Sequence, residues 1–90
     1  MEIEKAKKVI EAILFSAGRA VTEGELVIAL ELDKEQIEKI IRNMQDEYIT
    51  RGIEIIKVEN SYQMCSKKEY YEYIYPILDK RAKPNLSTAA

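Results

Sequence analysis

The first half of the chain has apolar and charged positions spaced as in amphipathic helices. Over residues 1–17, apolar side chains recur every three or four positions with Glu and Lys between them. This spacing predicts a helix with one buried face. Gly18 follows directly and can adopt the left-handed backbone that often ends a helix. Residues 19–21 are too few for another helix and are expected to form a short extended connector.

Two capping boxes predict where a second and a third helix begin. Thr22 stands three residues before Glu25, and Asp33 stands three residues before Gln36. In each pair the two side chains can satisfy each other's free backbone N–H groups. The predicted helices cover about 23–31 and 34–50 and are joined by a tight turn. The side chains expected to be buried are Leu26, Val27 or Ile28, Ala29 and Leu30 in the second helix, and Ile37, Ile40, Ile41, Met44 and Tyr48 in the third.

The pattern then changes to that of a β-hairpin. Residues 53–58 are mostly β-branched and nearly alternating, residues 59–61 have turn chemistry, and residues 62–65 alternate again. Two short strands joined by a tight loop are therefore predicted. Cys65, the single cysteine, is expected to be a small core residue, as free cysteines often are.

A last helix is predicted after the hairpin. Residues 66–69 read S-K-K-E, a third capping box, and apolar and tyrosine side chains continue from there to Leu78. Pro76 is expected to kink or split this helix because it has no backbone N–H. Residues 81–90 resemble a linker in composition, so the folded domain is expected to cover residues 1–80.

This order of elements predicts an α+β fold of the winged helix-turn-helix class. Three helices come first, a two-stranded wing follows, and a C-terminal helix closes the domain. In DNA-binding proteins of this architecture the third helix enters the major groove. The charge of that helix therefore bears on function.

The charge pattern argues against a DNA-binding role. Residues 33–50 carry five acidic and three basic side chains, and the wing tip has no Lys or Arg. A surface that neutralises phosphates would need the opposite sign. The alternative function, a DNA-binding transcriptional regulator, would require four basic side chains to gather in space: Arg42, Lys57, Lys67 and Lys68.

Composition excludes several other classes. The 90 residues contain 14 Lys and Arg, 16 Asp and Glu, one Cys and no His. His-dependent hydrolytic triads and zinc sites built from several Cys or His are therefore excluded. We expect no enzymatic activity, no metal site and no cofactor. With 33% charged residues and no long apolar run, a cytoplasmic globular domain without a membrane span is expected.

Surplus apolar side chains predict a protein interface. On the first wing strand Ile53 and Ile55 point to one face while Ile56 and Val58 point to the other. The last helix has one stripe expected to face the core, with Tyr70, Ile74, Ile77 and Tyr73, and a second stripe with Tyr71, Tyr75 and Leu78. The predicted interface is Tyr71, Tyr75, Leu78, Ile56 and Val58, most simply in a two-fold homodimer. Alternatively, the tyrosines only cover a small core.

Several segments resemble the segregation and condensation protein B (ScpB) family. The similar segments are KVIEAILFSAG at 8–18, Glu25-Leu26, RGIE at 51–54 and Tyr62-Gln63. Together they resemble the family's N-terminal winged-helix domain. The last five residues, LSTAA, resemble the opening of a second winged-helix domain that the chain then lacks.

This resemblance implies a non-enzymatic adaptor in chromosome condensation and segregation. Two such subunits would pair and engage a kleisin subunit of the ScpA type. Through the kleisin they would act on the SMC ATPase, in the cytoplasm and at the nucleoid. The resemblance also implies that the N-terminal domain carries dimerisation and that the second domain carries much of the kleisin contact. Sequence-specific DNA binding is not expected.

Overall fold

The computed structural model describes residues 1–78, which form a winged helix-turn-helix domain of the α+β class. This architecture confirms the predicted fold and its order of elements. The predicted linker, residues 81–90, lies outside the described residues. The elements are α1 Ile3–Ala17, β1 Val21–Thr22, α2 Glu23–Leu30, α3 Lys34–Glu47, a 3-10 turn Tyr48–Thr50, β2 Ile53–Val58, β3 Ser61–Ser66, a 3-10 turn Lys68–Tyr70 and α4 Tyr71–Leu78.

The first helix forms as predicted. Ala6, Ile10 and Leu14 lie on its buried face, at the four-residue spacing that aligns side chains along one side of a helix. Gly18 ends it in the left-handed conformation, with φ of 63°. A glycine meets this requirement without the steric cost that a Cβ would add.

Both predicted capping boxes at α2 and α3 are present. The Glu25 N–H donates to the Thr22 hydroxyl at 3.0 Å, and the Glu25 carboxylate accepts from the Thr22 N–H at 2.9 Å. Asp33 and Gln36 make the corresponding two bonds at 2.8 and 3.1 Å. Three residues link the two helices, and Glu31 among them adopts a left-handed backbone with φ of 58°. Local hydrogen bonding therefore sets the tight turn.

The burial predicted for the third helix is confirmed, and that for the second only in part. All five apolar side chains predicted on α3 and its extension are buried. The last of them, Tyr48, begins the 3-10 turn, since α3 ends at Glu47. On α2, Leu26 and Leu30 are buried and Val27 is partly buried, whereas Ile28 is 79% exposed. Ala29 is also exposed, so its predicted burial was wrong.

The predicted two-stranded wing is present as β2 and β3, and a third strand, which was not predicted, joins its sheet. The strand order is β1-β3-β2 and both pairings are antiparallel. The connector after α1 supplies the extra strand, because Val21 and Thr22 pair with the free edge of β3. The loop of the hairpin has only two residues, Glu59 and Asn60. The Asn60 carbonyl accepts the Glu23 N–H at 2.8 Å, which holds this loop against the start of α2.

The two faces of the sheet have different surroundings. Ile55 and Tyr62 are buried on the inner face, which packs against the helices. The residues at the alternate strand positions form the outer face: Glu54, Ile56 and Val58 on β2, and Ser61, Gln63 and Cys65 on β3. Cys65 is half-buried there, opposite Glu54. The prediction that it is a core residue was wrong, because strand alternation directs its neighbours Tyr62 and Met64 inward.

A bilayer-crossing helix needs about 20 apolar residues. None of the helices within residues 1–78 has that combination of length and apolar character.

Candidate protein-interaction surface

The C-terminal helix α4 starts differently from the prediction. Ser66 is the last residue of β3 and pairs with Ile53, so it is not a helix cap. Lys67 holds the cap position of the following 3-10 turn, and its side chain makes no capping bond. The third predicted capping box is therefore wrong, because strand pairing takes up its first residue. Pro76 lies inside α4, which continues to Leu78 without a split.

The stripe of α4 that was expected to face the core does not do so. Tyr70, Tyr73 and Ile77 are 41%, 67% and 70% exposed, and Ile74 is half-buried. No residue of α4 is fully buried. The physical reason is that, within residues 1–78, the main packing contact of α4 is with the 3-10 turn before it, so this stripe meets no core surface there.

The stripe predicted as an interface forms a continuous ridge on α4. Tyr71 is half-buried, while Tyr75 and Leu78 are 51% and 70% exposed. The rings of Tyr71 and Tyr75 lie 5.4 Å apart between centroids, tilted by 39°. This spacing is within the range of favourable aromatic pairs. The pair is a preformed apolar surface on one side of the helix.

Apolar side chains extend over most of the circumference of α4. At 100° per residue, Tyr73 and Ile77 lie on one flank and Tyr75 and Leu78 on the other, with Ile74 between the flanks. Glu72 and Pro76 occupy the remaining side. The exposed apolar surface is therefore wider than the predicted stripe. Tyr73 and Ile77 were missed as surface residues because the sequence assigned them to the core.

The two remaining predicted interface residues lie on the outer face of the sheet. Ile56 is half-buried and Val58 is 49% exposed, and strand alternation places them side by side. The strands that carry them are not among the elements that α4 mainly contacts within residues 1–78. The chain leaves β3 toward α4 at the strand end beside Ile53, whereas Val58 adjoins the hairpin loop. Those ends are five residue steps apart along β2, a span of about 17 Å. The hairpin end of the outer face, with Val58, is thus the end far from the start of α4.

Lys67 fixes the point from which α4 leaves the domain. The sequence did not predict this role. The Lys67 ammonium donates to the carbonyl oxygens of Tyr48 and Ile49 at 2.7 and 2.8 Å. Its backbone N–H donates to the Gly52 carbonyl at 3.0 Å. The cation therefore caps the last turn after α3, where free carbonyls favour positive charge. No local pattern predicts this contact, because the two partners are 18 and 19 residues away.

A buried carboxylate joins α2 to the wing and to α3. Glu23 is only 5% exposed, and its carboxylate accepts the Tyr62 hydroxyl at 3.0 Å. Lys34 and Lys57 lie 3.6 and 3.9 Å from it. Burial opposes ionisation of Glu23, but the hydrogen bond from Tyr62 and the two ammonium groups outweigh it and lower the pKa. Sequence reasoning missed this cluster, because a Glu in a first helical turn is normally exposed.

Of the four basic side chains required for a DNA-binding cluster, Lys57 and Lys67 contact other groups of the protein. Lys57 lies near Glu23 and also 4.0 Å from Glu38. The Lys67 ammonium is bonded to the two backbone carbonyls described above. Ion pairing and carbonyl capping therefore reduce the positive charge that these two lysines present to solvent. Among residues 1–78, no three His, Cys, Asp or Glu side chains converge in an arrangement that could hold a metal ion.

Comparison with known sequences identifies one family repeatedly. A model of the family described as segregation and condensation complex subunit ScpB matches residues 8–90. A segregation and condensation protein B from Lachnoclostridium phytofermentans is 49% identical over 79 residues, which are 86% of this chain and 42% of that protein. Its counterpart from Clostridioides difficile is 41% identical, over 99% of this chain and 52% of its own length. The chain thus spans about half the length of the curated relatives that it matches.

Two solved structures share the fold. One is described as a dimer of the ScpB N-terminal domain complexed with a ScpA peptide. It superposes with a TM-score of 0.79 at 23% identity, over 84% of this chain and 98% of that chain. The other is ScpB from Mycobacterium tuberculosis, with a TM-score of 0.82 at 24% identity, over 91% of this chain and 52% of that chain. At these identities the superpositions establish the winged-helix fold.

Proposed function

Because this chain belongs to the segregation and condensation protein B family, we propose that it is a non-enzymatic adaptor of a prokaryotic SMC–kleisin condensin. Its role is chromosome condensation and segregation, in the cytoplasm and at the nucleoid. The observation that carries the proposal is the combination of this family's fold with exposed apolar flanks on α4. An adaptor needs binding surfaces and no reacting groups.

The first element of the proposal is pairing with a second copy. Five residues form the proposed interface: Tyr71, Tyr75 and Leu78 on α4, and Ile56 and Val58 on the outer sheet face. Tyrosine is favoured where a surface meets a partner, because it combines a large apolar ring with a polar group. The solved ScpB N-terminal domain that superposes on this chain is described as a dimer, which supports pairing by a domain of this size.

The second element is a kleisin partner. The same solved domain is described in complex with a ScpA peptide. By analogy, this chain engages a ScpA-like kleisin subunit and acts through it on the SMC ATPase. A fluorescent peptide scan of the kleisin against the 90-residue chain tests this element. Failure of every peptide to bind would assign kleisin contact to regions outside this chain.

The third element is that the chain does not bind DNA directly. The acidic excess on α3 and the ion pairs of Lys57 support it. Electrophoretic mobility of a DNA duplex is the test, at low and moderate salt. We expect no shift, since the domain lacks a positive footprint. Salt-sensitive retardation by the domain alone would favour the DNA-binding regulator instead.

The solution mass of the chain is the central experiment. We expect a dimer at high micromolar concentration by light scattering, and monomers for Tyr71→Glu and Tyr75→Glu, since each buries a charge in the interface. Glu72→Gln is the matched control, because it lies on the polar side of the same helix and should still pair. A monomeric wild type would contradict the dimer. Pairing in both Glu variants would move the interface elsewhere.

A further inference from the structure

We propose that the free edge of β2 binds an extended peptide segment of a partner protein, which adds to the sheet as a fourth strand. The segment that fits this edge alternates apolar side chains with Lys or Arg. Strand addition goes beyond the proposed function, and neither the pairing of two copies nor the kleisin contact has to hold for it to occur.

Hydrogen bonding shows which backbone groups of β2 point away from the sheet. The Gly52 carbonyl, just before β2, accepts the N–H of the residue that follows β3 at 3.0 Å. The bonding direction alternates along an antiparallel strand, so the N–H and C=O groups of Ile53, Ile55 and Lys57 point to the other side. The Gln45 side chain agrees with this direction, because its amide donates to the Ile55 carbonyl at 2.9 Å.

This edge of β2 is open to a further strand. In the order β1-β3-β2 the strand lies at one end of the sheet. Within residues 1–78, the Gln45 amide is the one group that bonds to the outward backbone of β2. The strand contains no proline and pairs with β3 in unbroken register, so it lacks the proline and the bulge that often protect an edge. An added peptide therefore gains main-chain hydrogen bonds there.

A groove of about 450 Å³ lies beside the same edge. Its lining includes Ile55, whose side chain is on the inner face of the sheet, and Glu54, whose side chain is on the outer face. The groove therefore reaches around the edge of β2. Ile49, in the 3-10 turn after α3, also lines it and is 70% exposed. The volume is within the range of binding pockets, and an exposed isoleucine offers apolar contact to a side chain that enters.

The groove lining determines the chemistry of the peptide. Side chains of an added strand alternate between the two faces of the sheet. Those on the inner side meet Ile49 and should be apolar. Those on the outer side meet Glu54, and Glu69 lies in the same lining. Lys67, the single basic residue of this lining within residues 1–78, has its ammonium bonded to two backbone carbonyls. Opposite charges on neighbouring strands stabilise a pairing, so Lys or Arg fits the outer positions.

A synthetic hexapeptide tests the proposal directly. The probe is acetylated Val-Lys-Val-Lys-Val-Lys amide, added to the isotope-labelled 90-residue chain and followed by nuclear magnetic resonance. We expect chemical-shift changes and slower hydrogen exchange at the amides of Ile53, Ile55 and Lys57. The peptide with Glu in place of Lys should bind about tenfold more weakly, because each cross-strand charge pair becomes unfavourable. The N-methylated peptide keeps the side chains but loses the backbone donors, so its binding should be lost.

Two protein variants locate the groove contact. Ile49→Ser should weaken binding of the Val-Lys peptide. Ile28→Ser is the matched control, since Ile28 is an isoleucine of similar exposure, 79%, on α2, and it should bind like the wild type.

Every other outcome overturns the proposal. Equal binding of the N-methylated peptide would mean that no strand is added, and equal binding of the Glu peptide would mean that the acidic lining does not select a basic partner. Slow exchange at Ile53, Ile55 and Lys57 before any peptide is added would mean that the free protein already covers this edge. An unchanged spectrum would mean that the edge binds no peptide of this kind. Solution mass and the kleisin peptides test the proposed function separately, so either proposal can fail alone.

Discussion

Helices α3 and α4 differ in a way that their sequences alone do not suggest. The α3 segment, KEQIEKIIRNMQDE, is rich in charge, yet four of its side chains are buried. The α4 segment, YEYIYPIL, has one charged residue, yet none of its side chains is buried. Burial depends on whether a complementary surface is available, because the hydrophobic effect acts only when water is removed from both sides of a contact. Substitutions on the two helices should therefore differ in how much folding stability they remove.

The largest loss is expected in the core beneath α3. Ile41 is 1% exposed, so Ile41→Ala removes buried methylene groups and leaves a cavity. We expect a loss of about 2–5 kcal/mol in the free energy of unfolding. Urea unfolding followed by circular dichroism measures it. A loss below that of an ordinary surface substitution would show that α3 is not packed as described.

The next largest loss is expected at the buried carboxylate. Glu23→Gln removes the charge that Tyr62, Lys34 and Lys57 surround. Hydrogen bonds to charged groups contribute about 1.5–3 kcal/mol, and we expect a loss of at most that size in the same urea assay. The matched control is Glu35→Gln at an exposed position of the first turn of α3. Equal effects of the two substitutions would contradict a special role for Glu23.

Glu23 should also make a smaller contribution to the pH dependence of the free energy of unfolding. The folded-state pKa of Glu23 is below its ordinary value of 4.5. The stabilisation is therefore present above pH 4.5 and is lost as the pH falls through the folded pKa. Glu23→Gln removes this share of the acid sensitivity. Unfolding midpoints measured between pH 7 and pH 3 should converge for wild type and variant, and parallel curves would contradict the assignment.

The smallest loss is expected on α4. Ile77 is 70% exposed, so Ile77→Ala should change the unfolding free energy of the monomer by less than about 0.5 kcal/mol. The measurement is made at low concentration, since pairing itself stabilises the folded state by mass action. This residue and Ile41 are both isoleucines on helices, so the pair isolates the effect of packing. A large loss for Ile77→Ala would mean that α4 has a core contact.

Two of the three capping boxes predicted from local chemistry are present. The capping boxes at Thr22 and Asp33 formed, since their partners lie three residues away. The buried face of α3 followed from helical periodicity. The failures involve distant partners: Ser66 paired with Ile53 instead of capping a helix, and Val21 joined the edge of β3. The residues next to Ser66 and Val21 in the sequence do not indicate either strand pairing.

The candidate interface was also predictable from the sequence only in part. Its members were found from an excess of apolar positions, which is readable along the chain. Whether they share one patch was not readable, because Ile56 and Val58 lie on β2 and the other three residues lie on α4. The two extra exposed residues, Tyr73 and Ile77, could not be recognised either. Periodicity shows which side chains share a face but not what that face meets.

The sequence by itself determined the helices, the hairpin, the family and the sign of the charge on α3, since each depends on residue identity or on bonds a few residues long. Tertiary structure alone decided the third strand, the buried ion cluster of Glu23, the anchoring of Lys67 and the exposure of α4. These features depend on surfaces that meet only after the chain has folded. Their free energy comes from desolvation and pairing between distant residues, which no local pattern records.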